Sequence, residues 1–250
     1  MSDRDRFLEN VRRALGRDKG RPAPDARGAT GLYRGAPSVD ERALSIMQEA
    51  QDHAAELMSS LGTTAVKAGW KVARVASAPD AAEYIEKLAR GLEARTILRT
   101  THAVTQELDL EARLSTAGID VGVMSIGDET DDAKRDEIRG SLRERAIDAD
   151  IGVTGVDYAL AETGTCVLLA RKGVSRLVSL LPPVHVALVR PGEVLPGLDE
   201  LFALRRQDLL GGGSSGYMNL ITGPSRSADI EYTLVTGVHG PGEVHLVLIG

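Results

Sequence analysis

Aromatic residues, cysteine and long apolar runs are all scarce in this sequence, and each shortage excludes a class of function. Phe, Trp and Tyr together make up 3% of the 250 residues, so the chain lacks the stacking platforms that bind single-stranded nucleic acid. Its net charge of −6 also opposes binding to a phosphate backbone. No apolar run reaches the length of a membrane span, and the N-terminus has no apolar signal core. We therefore expect a cytoplasmic protein with no nucleic-acid partner and no membrane span.

Cysteine occurs once, at Cys166. A single thiol cannot close a disulfide within the chain, and it cannot hold an iron–sulfur cluster or a cysteine-ligated zinc ion. Cys166 lies in the apolar segment TCVLLA, which predicts a buried, inert thiol. Histidines at metal-ligand spacing, a P-loop, a nucleophile elbow and a kinase signature are also missing. We expect no metal and no cofactor in this chain.

Apolar periodicity divides the chain into an N-terminal arm and a regular α/β region. Residues 1–38 form the predicted arm, with helical spacing over 1–17 followed by a linker rich in Gly and Pro, and residues 39–250 form one predicted domain. Short apolar strands alternate there with predicted helices over 39–61, 79–91, 104–117, 130–146 and 197–209. This alternation predicts βαβ units and a mainly parallel sheet. Closely spaced β segments at 166–170, 176–182 and 184–190 predict an antiparallel or mixed excursion from it.

Three turn-rich strings in the last hundred residues carry the candidate site. They are TGVDYALAETGT (154–165), TGPSRSADIEYT (222–233) and TGVHGPGEVHLVLIG (236–250). Gly and Pro fix the backbone of such turns, so polar side chains on them are held in place rather than free in solvent.

The first string places two carboxylates close together. Glu162, at the turn before TCVLLA, is a candidate base, nucleophile or ligand for hydroxyl groups. Asp157, five residues earlier, is predicted to flank the same pocket, and Thr163, Gly164 and Thr165 are candidate substrate-binding residues. The alternative is that both carboxylates accept backbone N–H groups and make the loop rigid.

The second string predicts an anion site. Ser225 or Ser227 is expected to cap a short helix through 228–235, and free N–H groups at a helix start bind carboxylates and phosphates. Arg226 and Asp229 complete this candidate substrate site. Under the alternative interpretation the segment is plain capping, with Arg226 paired to an acid of the same string.

Histidine in the third string is the remaining candidate. His239 lies in a turn between two glycines, where an exposed imidazole titrates near neutrality. It is therefore a candidate to contact or deprotonate a hydroxyl group. His185 and His245 lie in apolar strand patterns and are assigned structural roles, whereas His53 and His102 show no polar constellation around them in the sequence.

The C-terminal strings together resemble the LUD-domain family and, within it, the lactate utilization protein C branch. The segments that carry the resemblance, in this order and at these separations, are TGVDYALAETGT, SLLPPVHVALV, GPSRSADIE and GVHGP. The resemblance covers about residues 40–250 and is strongest over 149–250. It implies a fold similar to the ribose-5-phosphate isomerase and CoA-transferase (NagB/RpiA-like) superfamily. It also implies a role in bacterial oxidation of L-lactate to pyruvate, together with companion proteins that carry iron–sulfur clusters.

On this basis we expect the cofactor-free LUD-domain subunit of an iron–sulfur system. Arg226 and the amides of residues 225–227 would hold the carboxylate of a small anionic substrate, and Glu162 or His239 would contact or deprotonate its hydroxyl group. Two alternatives stay open: a free-standing enzyme on a sugar phosphate or CoA thioester that uses Glu162, and a non-catalytic scaffold. A homo-oligomer is compatible with each.

Overall fold

The computed structural model describes Arg6, Asn10 and residues 38–171, 173–212, 217–228 and 234–250, with the backbone only at Ala228 and Leu234. Most of the predicted arm therefore lies outside the described residues, and so does the predicted site residue Asp229.

Helices and strands alternate along the described chain. The helices are α1 (Val39–Asp52), α2 (Ala54–Ala68), α3 (Ala78–Gly91), α4 (Ala103–Glu107), α5 (Leu110–Ser115), α6 (Asp132–Asp148), α7 (Leu177–Leu180) and α8 (Leu198–Leu210), with a 3-10 turn at Pro191–Glu193. The strands are β1 (Lys71–Val75), β2 (Thr96–Arg99), β3 (Asp120–Val123), β4 (Ile151–Gly155), β5 (Tyr158–Leu160), β6 (Thr165–Leu169), β7 (Val184–Val189), β8 (Val194–Leu195), β9 (Met218–Ile221), β10 (Arg226–Ala228), β11 (Leu234–Thr236) and β12 (Glu243–Ile249). None of these helices is both long and apolar enough to cross a membrane.

Six parallel strands form the main sheet, in the order β1-β12-β7-β4-β2-β3. Strands β4 and β7 are buried at every residue, which explains why their sequences, IGVTG and VHVALV, show little polar alternation. The predicted parallel-rich α/β fold is thus confirmed. A specific likeness to ribose-5-phosphate isomerase and CoA transferases stays a prediction.

A smaller mixed sheet, in the order β8-β5-β6-β9, departs from the parallel pattern as predicted. Of the three segments predicted for it, only 166–170 belongs to it, as β6, whereas 184–190 is β7 of the main parallel sheet. With α2 it covers one face of the main sheet, where Leu61 and Trp70 pack in one cluster with Cys166 and Leu246. Helices α3, α4 and α5 cover the opposite face. Cys166 is fully buried, as its apolar segment predicts, and burial raises the pKa of its thiol.

The predicted helix over 39–61 is wrong at both its interior and its end. The chain forms two helices, since α1 ends at Asp52 and α2 continues through Gly62 to Ala68. Gly69, with φ of 102°, ends α2, so residues 63–66 (TTAV) lie in the helix. Gly62, inside α2, lies close to the side chain of Arg74, since a Cβ at this position would be 2.6 Å from Nη2 of Arg74.

Three further segments differ from the sequence predictions. The helix over 104–117 is two short helices, because Asp109 has a left-handed backbone with φ of 46°. The segment 176–182, predicted as a strand, contains α7, and its Val178 carbonyl packs against β4 where Gly152 has no side chain. A helix through 228–235 is excluded at its ends, because β10 and β11 pair there as antiparallel strands.

Candidate functional site at the carboxyl edge of the parallel sheet

Strands β2 and β4 are neighbours in the main sheet, but the chain leaves them in opposite directions. After β2 it passes through α4 and α5 to β3 at the sheet edge, and after β4 it passes through the smaller sheet to β7 on the other side. In parallel α/β sheets a crevice opens outside the carboxyl ends of two such strands, and ligands bind there. Residues 100–102 follow β2 and residues 156–157 follow β4, so both segments border this crevice.

His102 lies over the end of β4. Gly155, the last residue of that strand, makes room for the imidazole, since a Cβ at this position would overlap Nδ1 of His102. Within the described part of the chain, Nδ1 of His102 and Oγ1 of Thr100 are both buried without a hydrogen-bond partner. Burial lowers the pKa of His102, an effect that the charge of Asp157 opposes, so the imidazole is neutral at pH 7.

Asp157 and Arg171 form an ion pair beside His102. The second carboxylate oxygen of Asp157 accepts the backbone N–H of Leu169 at 2.7 Å. The Asp157 side chain is 12% exposed and that of Arg171 is 41% exposed, so the carboxylate is fixed beneath a guanidinium that reaches solvent. Arg171 also lines a cavity of about 490 Å³ together with Arg176 and Tyr217.

A second cation and a second carboxylate follow β7. The guanidinium of Arg190 pairs with Glu107 of α4, while the backbone N–H of Arg190 donates to Oε2 of Glu193 at 2.8 Å. Burial raises the pKa of Glu193 to about 7, and the charge of Asp157 adds to this rise while the N–H bond and the charge of Arg190 oppose it. Arg190 is also near enough to lower the pKa of His102. We call this group the crevice cluster: His102, Asp157, Arg171, Arg190 and Glu193.

The crevice cluster combines two kinds of chemistry. Guanidinium groups bind carboxylates through paired, charge-assisted hydrogen bonds, and each carries five donors, so one ion pair leaves donors for a ligand. A neutral imidazole and a carboxyl that titrates near pH 7 suit proton transfer at neutral pH. Across the ranges that the structure describes, no three His, Cys, Asp or Glu side chains converge as metal ligands.

The predicted site residues fall in different places. Asp157 is at the carboxyl edge of the main sheet, in the crevice cluster. His239 lines a cavity of about 860 Å³ at the amino ends of β7 and β12, with Arg176, Val184 and Glu243. Strands of five to seven residues separate the two edges, a span of roughly 15–20 Å at 3.3 Å per residue. Asp157 and His239 therefore do not share a pocket.

The other residues of the first string pack near the end of α2. Hydroxyl groups of Thr163, Thr165 and Thr222 form a chain of hydrogen bonds, each 2.7 Å long. The carbonyl of Gly164 accepts Nε1–H of Trp70 at 3.0 Å, which fixes the turn against α2 and β1. The Glu162 carboxylate lies at the start of α8, where a Cβ on Gly197 would be 2.7 Å from Oε2.

The second and third strings meet at Ser225. Its backbone N–H donates to the carbonyl of Pro241, and its Oγ accepts the N–H of His239 at 3.3 Å. Arg226 donates to the carbonyl of Ala68 at the end of α2, at 2.9 Å. Because Ser227 lies in β10 rather than at a helix start, the described residues do not form the predicted helix N-terminus. The binding and catalytic roles assigned to these residues stay predictions.

His102 is the clearest residue that the sequence analysis misjudged, because the structure surrounds it with charged groups. Arg171, Arg190 and Glu193 were not singled out either. A signal was present: TTH follows TILR, and RPGE follows VHVALV, so both groups stand where a predicted strand ends. What the sequence did not show was the strand order, which brings these ends together.

Comparisons with known proteins identify the family of this chain. Residues 60–249 match the LUD domain, well over half of the sequence. Lactate utilization protein C of Halalkalibacterium halodurans is 46% identical over 101 residues, which cover 40% of this chain and 44% of that protein. Its counterpart in Bacillus subtilis is 40% identical over 107 residues, covering 42% and 45%. The chain thus spans less than half the length of these curated relatives in each match.

Two further matches extend over more of the sequence. The uncharacterized electron transport protein YkgF of Escherichia coli is 26% identical over 211 residues, covering 68% of this chain and 43% of that protein. A crystal structure of a DUF162 family protein from Deinococcus radiodurans has a TM-score of 0.51 and 19% identity, covering 79% of this chain and 98% of the other. At this identity the match concerns the fold.

Proposed function

This chain belongs to the LUD-domain family, and we propose that it works in lactate utilization as the subunit that binds the small carboxylate substrate. The relatives named lactate utilization protein C support the pathway. The observation that carries the location of the site is the crevice cluster, where two guanidinium groups stand beside a neutral imidazole at the switch point of the sheet.

The proposed substrate is L-lactate, with pyruvate as the product. Arg171 and Arg190 bind the carboxylate through the donors that their ion pairs leave available. His102, neutral at pH 7, accepts the proton of the hydroxyl group. Oxidation to pyruvate also breaks the Cα–H bond, and in this proposal companion proteins, expected to carry iron–sulfur clusters, would accept that second proton and the two electrons, because this chain has a single, fully buried cysteine and could not hold a cluster itself.

Isothermal titration of the purified chain with L-lactate and pyruvate tests the proposal. In the variant Arg171→Met the guanidinium is lost, and we expect affinity to fall about 10- to 100-fold, the range for a charge-assisted hydrogen bond of 1.5–3 kcal/mol. Arg145→Met is the control, since Arg145 also pairs with an aspartate, Asp120 at 2.8 Å, and its side chain is 45% exposed against 41% for Arg171. Wild-type affinity is expected for this control.

The same titration decides between the crevice and the C-terminal turns. If Arg226→Met abolishes binding while Arg171→Met does not, the substrate binds at the turns of the second and third strings. If neither acid binds to the wild-type protein at millimolar concentration, the substrate-binding role is wrong.

Catalysis by the chain on its own provides the second test. We expect no oxidation of lactate when the purified chain is mixed with an artificial electron acceptor, and oxidation once the companion proteins that co-purify from lactate-grown cells are added back. Lactate oxidation by the isolated chain would contradict the subunit role.

A further inference from the structure

The crevice cluster, taken together with Glu107, which pairs with Arg190, already holds more acids than guanidinium groups. Each arginine is already paired with one carboxylate, Arg171 with Asp157 and Arg190 with Glu107. Glu193 adds a third carboxyl group to the same cluster. With all three acids ionised and His102 neutral, the group carries one more negative charge than positive charges before a ligand arrives.

An incoming carboxylate raises this excess to two, next to Asp157 and Glu193, whose partly buried carboxyl groups are screened less than charges in open solvent. Desolvation and repulsion favour neutralisation of one acid under such conditions. Asp157 and Glu107 are both held by guanidinium groups, so protonation of either would break an ion pair. Glu193 instead accepts a backbone N–H, and a neutral carboxyl group can still accept that bond through its carbonyl oxygen.

We propose that Glu193 takes up a proton when an anionic ligand binds in the crevice, so that the carboxylate ligand and one proton bind together. This inference rests on the proposed function, because it assumes that the crevice is the ligand site. Glu193 lies in the 3-10 turn that joins β7 to β8, at the carboxyl end of β7.

The surroundings of Glu193 make it the group that responds. The charged groups acting on it are Arg190, which favours ionisation, and Asp157, which opposes it. Helices α1 and α2 pack against its turn but contribute no charge to the shift. The pKa of Glu193 is raised to about 7, chiefly by burial, so a further negative charge nearby changes its protonation in the physiological range. Burial, with a smaller contribution from the charge of Glu193, raises the pKa of the Cys166 thiol, so that thiol stays protonated.

Calorimetry in several buffers measures this proton directly. Pyruvate and L-lactate are titrated into the full chain at pH 7.5 in phosphate, HEPES and Tris, and the slope of binding enthalpy against buffer ionisation enthalpy gives the number of protons taken up. A group with a pKa of about 7 is about a quarter protonated at pH 7.5, so we expect uptake of about 0.7 proton. Affinity then falls by up to about tenfold per pH unit between pH 7.5 and 9.

Glu193→Gln should bind the same acids with uptake near zero and with affinity that changes little over this pH range. Glu200→Gln is the matched control, because Glu200 also accepts the N–H of the residue three positions earlier, Gly197 at 3.0 Å. It should keep the wild-type uptake. Binding without proton uptake by the wild type, or uptake that persists in Glu193→Gln, would overturn the inference and leave the proposed function standing. An absence of binding by either acid would overturn both.

Discussion

Replacing Glu193 with Gln should make the protein more stable at pH 8 and leave its stability at pH 4.5 unchanged. The folded protein raises the pKa of this carboxyl group from 4.5 to about 7, so the folded state holds the proton more tightly than the unfolded state. The stabilising effect of that proton is complete below pH 4.5 and is lost as the pH rises through 7. At about 1.4 kcal/mol per pH unit the loss amounts to about 3 kcal/mol, and partial solvent access reduces it to about 2 kcal/mol.

Urea unfolding of the wild type and of Glu193→Gln at pH 4.5, 6, 7 and 8 measures this effect. The glutamine keeps an oxygen that can accept the N–H of Arg190, so the turn itself should be preserved. We expect the free energies of unfolding to agree at pH 4.5 and to diverge in favour of the variant above pH 6. A constant difference at all four pH values would refute the reasoning, because it would show that Glu193 does not titrate abnormally.

Two further predictions concern residues next to the site and beneath it. His185 is fully buried, and burial lowers the pKa of its imidazole to about 3. The unfolded state therefore binds the proton first, and the free energy of unfolding falls as the pH drops below 6.5. In urea unfolding the wild type should lose about 2 kcal/mol more than His185→Gln between pH 7.5 and 5. Gly155→Ala should displace His102, weaken pyruvate binding at least tenfold in calorimetry and lower the free energy of unfolding by about 1–3 kcal/mol. Gly140 has open space around it, so the control Gly140→Ala should leave binding unchanged and should not destabilise its helix. If both alanine variants bind pyruvate as tightly as the wild type does, His102 is not part of the ligand site.

Much of the fold could be predicted from local pattern. Strand β7 is apolar along VHVALV and is followed by Arg-Pro-Gly, so both its existence and its end were readable from the sequence. Helix ends were less readable where a glycine has a tertiary function. A glycine such as Gly62 can mark the end of a helix in a sequence, but Gly62 lies inside α2, where the close approach of Arg74 leaves no room for a side chain. The helix ends at Gly69, which has a left-handed backbone.

The site was harder to predict than the fold, for a physical reason. Turn-rich strings identify residues that are held in place, and Ser225 and His239 do meet as neighbouring strings suggested. They do not show which end of the sheet each string occupies. That depends on the pairing of β4 with both β2 and β7, which joins residues far apart in the sequence. His102 and Arg190 acquire their surroundings from this pairing.

Labelled histidine offers the most direct test of where the ligand binds. The chain contains five histidines, of which His102 is in the crevice cluster and His239 lines the cavity at the opposite edge of the sheet. With ¹³C,¹⁵N-histidine incorporated and the signals assigned through His102→Gln and His239→Gln, pyruvate is titrated and the imidazole shifts are followed by NMR. We expect the His102 signals to move in a saturable way and those of His239 to stay in place. Movement of His239 with an unchanged His102 would contradict the account and place the ligand among the C-terminal turns.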